Sequence, residues 1–364
     1  MDDMPELRDV EGSPGVKEMG SQALLTLTTG LTEAELAFAT LEQLPLRPNL
    51  PPTTLRDLQS TALAQLAASP TSGSDLLRKA LQSEATSSQS NRRRYSTTLD
   101  ELDELLDGGW EAGEVVEVAG GRQSGRSSLV LYTLLHHLLT HPNNRAVFIH
   151  TSPTFDASRC RSILHILIEN ERSNGVQIES EDSRNLSTDE LAVRTLGRLA
   201  VLHPFSPSQA LEGLVAETEI KEERPEKLSM VVVDSVETLL GGEPLSNPSP
   251  EGHATLVSFA RQVKLLARTH ALAVFLLNAA STSSTAVVPP ITSLPLQQPN
   301  VKPTLGVTFT YLTDLTIWTT RAESIWGSDG RGKFIAEVAR NRRGEARGWI
   351  GFDLSDGLTL RAVD

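Results

Sequence analysis

The sequence predicts an α/β fold: a twisted, mainly parallel sheet with helices on both faces, preceded by a small all-helical domain. Three observations predict it. From Leu99 onward, short β-rich apolar runs alternate with helical patterns, the order that builds a parallel sheet. Several of those runs are apolar throughout instead of alternating, as strands covered on both faces are. Before Leu99, "GLTEAELAFATLEQL", "TTLRDLQSTALAQLAAS" and "GSDLLRKALQS" are helical patterns joined by short loops. They are too few to enclose a large core.

In chain order, residues 1–20 are acidic and resemble neither a secretory signal nor an Arg-rich transit peptide, so a short disordered tail is expected. Residues 21–83 are expected to form the small helical domain. Its first helix is opened by Thr32, with Glu35 three residues later completing a capping box. Residues 84–98 are polar and Ser-rich, the composition of a linker. Arg92, Arg93 and Arg94 within it read as a solvated linker face, with a nuclear import signal or a phosphate contact as alternatives. Residues 99–364 form the core. Its strand candidates are "VVEVAG", "AVFIHTS", "LAVLH", "MVVVDS", "LAVFLLN", "LTIWTT" and "FIAEVAR". Between the fourth and fifth, Leu256, Phe259, Ala260, Val263, Leu266 and Ala267 recur at helical spacing and make one apolar stripe. No internal repeat is present.

Composition bounds the function. With 364 residues, 39% hydrophobic and 22% charged, the chain has enough apolar mass for one large domain or a large and a small one. No apolar run approaches the roughly 20 residues of a membrane helix, so no membrane partner is expected. Cys160 is the single cysteine; it fits a reducing compartment and reads as a small core residue, not a nucleophile. Net charge is −13, from 46 acidic and 33 basic residues, the wrong sign for wrapping nucleic acid by charge alone. Any DNA contact needs a local basic surface or help from partner subunits.

The chemistry concentrates after the first strand candidate. Gly120, Gly121, Arg122, Gln123, Ser124, Gly125, Arg126 and Ser127 match the phosphate-loop pattern G-x-x-x-x-G-K-[ST] everywhere except Arg126. Glycines at both ends let the backbone turn so that successive N–H groups face phosphate oxygens. The helix that follows adds its positive end. Ser128 lies beside this set, and Ser127 is placed to ligate Mg²⁺ through its hydroxyl. Far downstream, "LSMVVVDSVETLL" is a buried strand ending in Asp234, where such folds support Mg²⁺. Loop and acid together point to ATP with Mg²⁺.

These residues carry a resemblance. "TTLDELDELLDGGWEAGEVVEVAGGRQSGRSSL" resembles the entry to the RecA-type recombinase core, and "VVVDSVETLLGG", "ARQVKLLARTHALAVFLLN" and "KPTLGVTFTYLTDLTIW" resemble successive core blocks of the eukaryotic Rad-fifty-one paralogues, type D above all. "GLTEAEL" and "GSDLLRKAL" resemble that type's helical N-terminal domain more loosely. The resemblance implies a RecA-like P-loop NTPase core, ATP binding, weak and partner-assisted single-stranded DNA binding, and homologous-recombination repair in the nucleus within a complex of other recombinase paralogues.

Three departures from the family pattern imply weak or absent hydrolysis. Arg126 replaces the loop lysine and presents a wider planar fork. In "HTSPTFDASR", Ser152 stands where active recombinases carry the water-orienting glutamate, and His150 where an aspartate precedes it. "LAVFLLN" ends in Asn278, where a glutamine senses the γ-phosphate. His150 has no orienting partner in the sequence and is not assigned as a base. Two alternatives stay open: a DNA-stimulated ATPase in which Arg126 does the lysine's work, and a nucleotide-independent scaffold whose helical N-terminal zone makes the contacts.

The segments at the family's DNA-loop positions offer little to a single strand, which needs cationic grooves and stacking platforms. "GGEPLSNPSPEGH" has no Lys or Arg. The long Pro-rich segment after Asn278 has Lys302 as its one basic residue. The best basic patch is "ARNRRGEARGW", with Arg340, Arg342, Arg343 and Arg347; a solvated hairpin is an equal reading.

Overall fold

The computed structural model describes residues 93–152, 155–173, 186–219, 225–241, 250–282, 301–323, 327–344 and 348–363, with a few more at 60, 72–75 and 77–78. The chain divides into two compact units, Met1–Gln89 and Ser90–Asp364. In the first, residues 73–75 and 77–78 are helical, and Asp75 donates its N–H to Ser72 Oγ at 3.1 Å. Ser60, in the second expected helix, is helical as well; the rest of the helices expected over 21–83, with the Thr32–Glu35 capping box, lie outside the described residues.

The second unit opens with a small two-stranded piece, β1 (Arg94–Tyr95) antiparallel to β2 (Trp110–Glu111), with α1 (Asp100–Leu105) between them in sequence. Its main sheet begins at β3 (Val115–Gly120), followed by α2 (Arg126–Thr140), β4 (Asn144–His150) and α3 (Ala157–Ser173). Then come α4 (Thr188–Leu196), β5 (Leu199–Leu202), α5 (Pro207–Glu219), β6 (Lys227–Asp234) and α6 (Val236–Leu240). α7 (Pro250–His270) leads to β7 (Ala273–Thr282), β8 (Val301–Pro303), α8 (Val307–Leu312) and β9 (Leu315–Arg321). Three strands close the chain: β10 (Lys333–Asn341), β11 (Trp349–Asp353) and β12 (Arg361–Val363).

All seven apolar runs form strands. The sheet order is β12-β11-β10-β9-β3-β7-β6-β4-β5, with β8 added alongside β7. Pairing is parallel from β9 through β3 to β5 and antiparallel from β9 to β12. The continuous apolar runs follow from burial on two sides, because successive residues of a strand face opposite ways. Val116, Val118, Phe275 and Leu277 pack with Leu134 and Leu138 of α2 and with Leu164 of α3. Val115, Val274 and Leu276 pack with Phe259 and Val263 of α7 and with Phe309 of α8. The expected stripe of α7 faces this second layer: Leu256, Phe259, Ala260, Val263 and Ala267 are buried, and Leu266 packs against them partly buried.

Two boundaries differ from expectation. The end of the linker stretch belongs to the core: Tyr95 and Thr97 are buried. Asp103 holds the end of that stretch, accepting from Thr97 N at 2.7 Å and from Ser96 Oγ at 2.7 Å, so one carboxylate fastens two polar residues that carry no apolar pattern. The Pro-rich segment is also not loop at its ends. β7 runs on past Asn278 to Thr282, and β8 pairs with it antiparallel, Ser281 opposite Lys302. Pro303 is tolerated there because β8 is an edge strand and needs no donor on its free side. Residues 283–300 lie outside the described residues, as do 242–249 at the shorter DNA-loop position.

Candidate functional site

β3 is central, flanked by β7 and β9, and its carboxyl end runs through a tight turn into α2. The two outer glycines of the turn serve different ends from those expected. Gly120 is the last residue of β3 and is not left-handed; a Cβ there would fall 2.4 Å from Thr319 O and 2.7 Å from Ser124 Oγ. It is glycine because β9 approaches too closely for anything larger. The left-handed residues are Gln123 (φ 57) and Gly125 (φ 85), the latter the N-cap of α2. Behind Gly125 stands the stacked pair Phe334 and Phe352, whose ring atoms would lie 3.2 and 3.0 Å from an added Cβ. A Cβ on Gly121 would meet nothing within 4 Å, so that side of the turn is open.

Around this turn the side chains divide into tied and untied. Ser124 is buried and its Oγ shares a 2.7 Å hydrogen bond with Thr319 Oγ1, which fastens the turn to β9. Ser128 Oγ accepts from Arg159 Nη2 of α3 at 2.6 Å. Arg122 and Gln123 are exposed, and Ser127 is half-buried on the first turn of α2. Gly125 supplies no side-chain cap, so the opening N–H groups of α2 are left for an acceptor from outside the helix. Arg126 is the untied residue: its Nη1 is buried with no hydrogen-bond partner. Burial holds its guanidinium below the ordinary arginine value, and the nearby carboxylates of Glu237 and Asp234 push back. A buried orphan donor, uncapped helix amides and an open face together fit an anion of the phosphate kind.

Asp234 reaches the site from β6, and its chain position is fixed by Thr151 at the end of β4. Asp234 O accepts from Thr151 N at 3.0 Å, and Ser235 N donates to Thr151 Oγ1 at 2.9 Å. Among the described residues no group of three or more His, Cys, Asp or Glu gathers at one point. A divalent cation here would lean on one or two protein oxygens, water and phosphate, which is how Mg²⁺ is usually held.

The residues read for water activation are placed as follows. His150 is hemmed in by the rings of Phe148, Phe155 and His203, with centroids 5.8, 5.7 and 5.9 Å away, and its Nδ1 lies 3.0 Å from Ser152 O. Ser152 is exposed. Asn278 is not at a strand end, as expected, but in the interior of β7, with no exposed surface; its Nδ2 donates to Glu117 Oε1 at 2.8 Å. Glu117 is the residue that sequence reasoning missed. It is fully buried in β3, also accepts from Thr316 Oγ1 at 3.3 Å, and burial raises its pKa despite these bonds. A lone glutamate inside the apolar run "VVEVAG" was the available signal. Cys160 is buried, and its thiol is pushed up to about 11, mainly by burial.

The basic patch lies on the β10–β11 hairpin, and two of its three described arginines are closely engaged by protein acceptors. Arg343 donates to Glu111 Oε2 at 2.6 Å and Glu114 Oε2 at 2.7 Å. Arg340 donates to the carbonyls of Thr310 and Thr313 at 3.0 and 2.9 Å and lies 5.3 Å over the Tyr311 ring. Arg342 lies 3.4 Å from Asp314 with a side chain 58% exposed. Lys302 is half-buried on β8, and Arg347 lies outside the described residues.

No protein-family model matches the chain. It is 30% identical over 256 residues to the DNA repair protein RAD51 homolog 4 of Bos taurus, covering 68% of this chain and 68% of the relative. To the protein of that name from Mus musculus it is 28% identical over 251 residues, again covering 68% of each.

Proposed function

Because the chain belongs to the RAD51 family of DNA repair proteins, we propose that it is an ATP-binding paralogue acting in homologous-recombination repair. It assists recombinase filament assembly on single-stranded DNA, in the nucleus, within a complex of other paralogues. The observation that carries the nucleotide part is Arg126 Nη1, buried and without an acceptor beside the uncapped start of α2. Leaving a charged donor so costs more than a lost hydrogen bond; a phosphate oxygen removes the cost.

In this reading the backbone from Gly120 to Ser127 and the Arg126 guanidinium hold the phosphates, while Ser127 and Asp234 support Mg²⁺. Bound Mg²⁺ supplies charge neutralisation at the phosphates. Turnover is slow or absent, because Ser152 offers no carboxylate, His150 is packed among rings and Asn278 is tied to Glu117 beneath the sheet surface; without a group to orient water, phosphoryl transfer loses much of its acceleration. Nucleotide then acts by mass action, stabilising the assembly-competent state. DNA contact is weak and shared with partners, since Arg343 and Arg340 already serve protein acceptors.

The test is nucleotide-dependent assembly. Gly125→Asp places a carboxylate in the turn, and Arg126→Glu reverses the charge while leaving the turn's backbone alone. Both are expected to abolish nucleotide-dependent capture of partner paralogues; full capture by an Arg126→Glu protein of normal melting temperature contradicts the reading.

A further inference from the structure

Glu237 belongs to none of the parts assigned above. It lies on α6, three residues beyond Asp234, and its Oε2 is buried with no hydrogen-bond partner. Arg126 Nη1 is a buried orphan of opposite charge. The two are close enough to act on one another, Glu237 more strongly than Asp234. A direct ion pair would satisfy both atoms at once, yet neither is bonded to the other. Each buried unsatisfied charged atom calls for an explanation, and a bound ion is one that would serve both atoms together. A buried, unpartnered guanidinium nitrogen within electrostatic reach of two carboxylates has the charge pattern that a metal–phosphate unit would satisfy: phosphate toward the cation, hydrated metal toward the acids.

We propose that Glu237 is a second acidic arm of the nucleotide site, making nucleotide binding strongly dependent on a divalent cation. The proposal rests on the nucleotide reading above. In the free protein Glu237 is the counter-charge that keeps Arg126 over the turn. In the loaded protein Arg126 turns to the phosphates, and Glu237 faces the water shell of the cation beside Asp234. Without the cation, the same carboxylate repels the phosphates, so metal-free nucleotide binds poorly.

The experiment measures the affinity of the full-length protein for a fluorescent ATP analogue, once with Mg²⁺ and once with a chelator. Glu237→Gln keeps the side chain's size and removes its charge. It is expected to bind the metal-free analogue more tightly than the wild type does, and to lose ~10-fold of the Mg²⁺-dependence, the effect typical of groups supporting a metal from outside its ligand set. Glu237→Asp keeps the charge and is expected to retain most of that dependence. An unchanged ratio of the two affinities in Glu237→Gln overturns the proposal. So does a Glu237→Asp protein that behaves like Glu237→Gln, since packing and not charge is then responsible. A wild-type protein that binds no analogue at millimolar concentration, with or without metal, overturns the nucleotide reading itself and this inference with it.

Discussion

At the scale of single residues, the turn after β3 separates two reasons for a glycine. Gly120 is small because Thr319 O would lie 2.4 Å from a Cβ, whereas Gly125 is left-handed at φ 85. Gly120→Ala is therefore expected to cost about 1–3 kcal/mol by overpacking, seen as a lower midpoint in denaturant titration whether or not nucleotide is present. His137 gives a pH signature of the fold. Burial, with the neighbouring charges of His141, His136 and Arg198, lowers its pKa from 6.5 to about 3; its Nε2 meets Ser229 Oγ at 2.7 Å and its ring packs on Tyr95. Because the folded value is depressed, the unfolded chain takes the proton first. The stability that neutral His137 contributes is complete above 6.5 and lost as pH falls toward 3, by up to roughly 1.4 kcal/mol per pH unit. Acid unfolding of His137→Gln should show a shallower slope through that window than the wild type; identical slopes would rule the assignment out.

At the scale of elements, the apolar stripe of α7 is the main attachment of the second layer. Phe259→Ala removes a ring with 1% of its surface exposed and is expected to destabilise the core by about 3–5 kcal/mol, measured by calorimetry. In the β10–β11 hairpin, two neighbouring arginines are expected to behave oppositely. Arg343→Ala removes the short contacts that the guanidinium makes with Glu111 and Glu114 and should lower the melting temperature. Arg342→Ala, at a side chain 58% exposed, should leave stability within about 0.5 kcal/mol and weaken retention of single-stranded DNA by the assembled complex. These elements also mark what the sequence made legible. Strands β3, β4, β6 and β7 were readable because burial on both faces writes itself as runs that are apolar on successive residues, broken in β3 by Glu117 alone. β1 and β2 were not, since two residues each carry no periodicity and Asp103 orders the stretch through hydrogen bonds. The continuation of β7 to Thr282 was hidden because Ala, Ser and Thr pair in a ladder without an apolar pattern. For that reason Asn278, which ends the apolar run, lies inside β7 and not at its end.

At the scale of the whole molecule, a net charge of −13 opposes the anion binding proposed for the turn after β3, so the attraction has to be local. It comes from Arg126, screened from the bulk by burial, and from the positive end of α2. The turn from Gly120 to Ser127 and the position of Asp234 were legible because each follows directly on an apolar run that forms a strand, β3 and β6. Glu117 and Glu237 were not, because a lone glutamate in a strand or helix says nothing of its partners until the fold brings them. On the proposed reading nucleotide acts by linkage: at 100 times its dissociation constant it adds about 2.7 kcal/mol to the folded form. The most direct measurement is the unfolding temperature of the purified chain against rising Mg²⁺-ATP concentration. The expected result is a rise of several degrees that continues with concentration and disappears in Arg126→Glu. An unfolding temperature that stays flat up to millimolar Mg²⁺-ATP, in a protein whose fold is intact, would contradict the account.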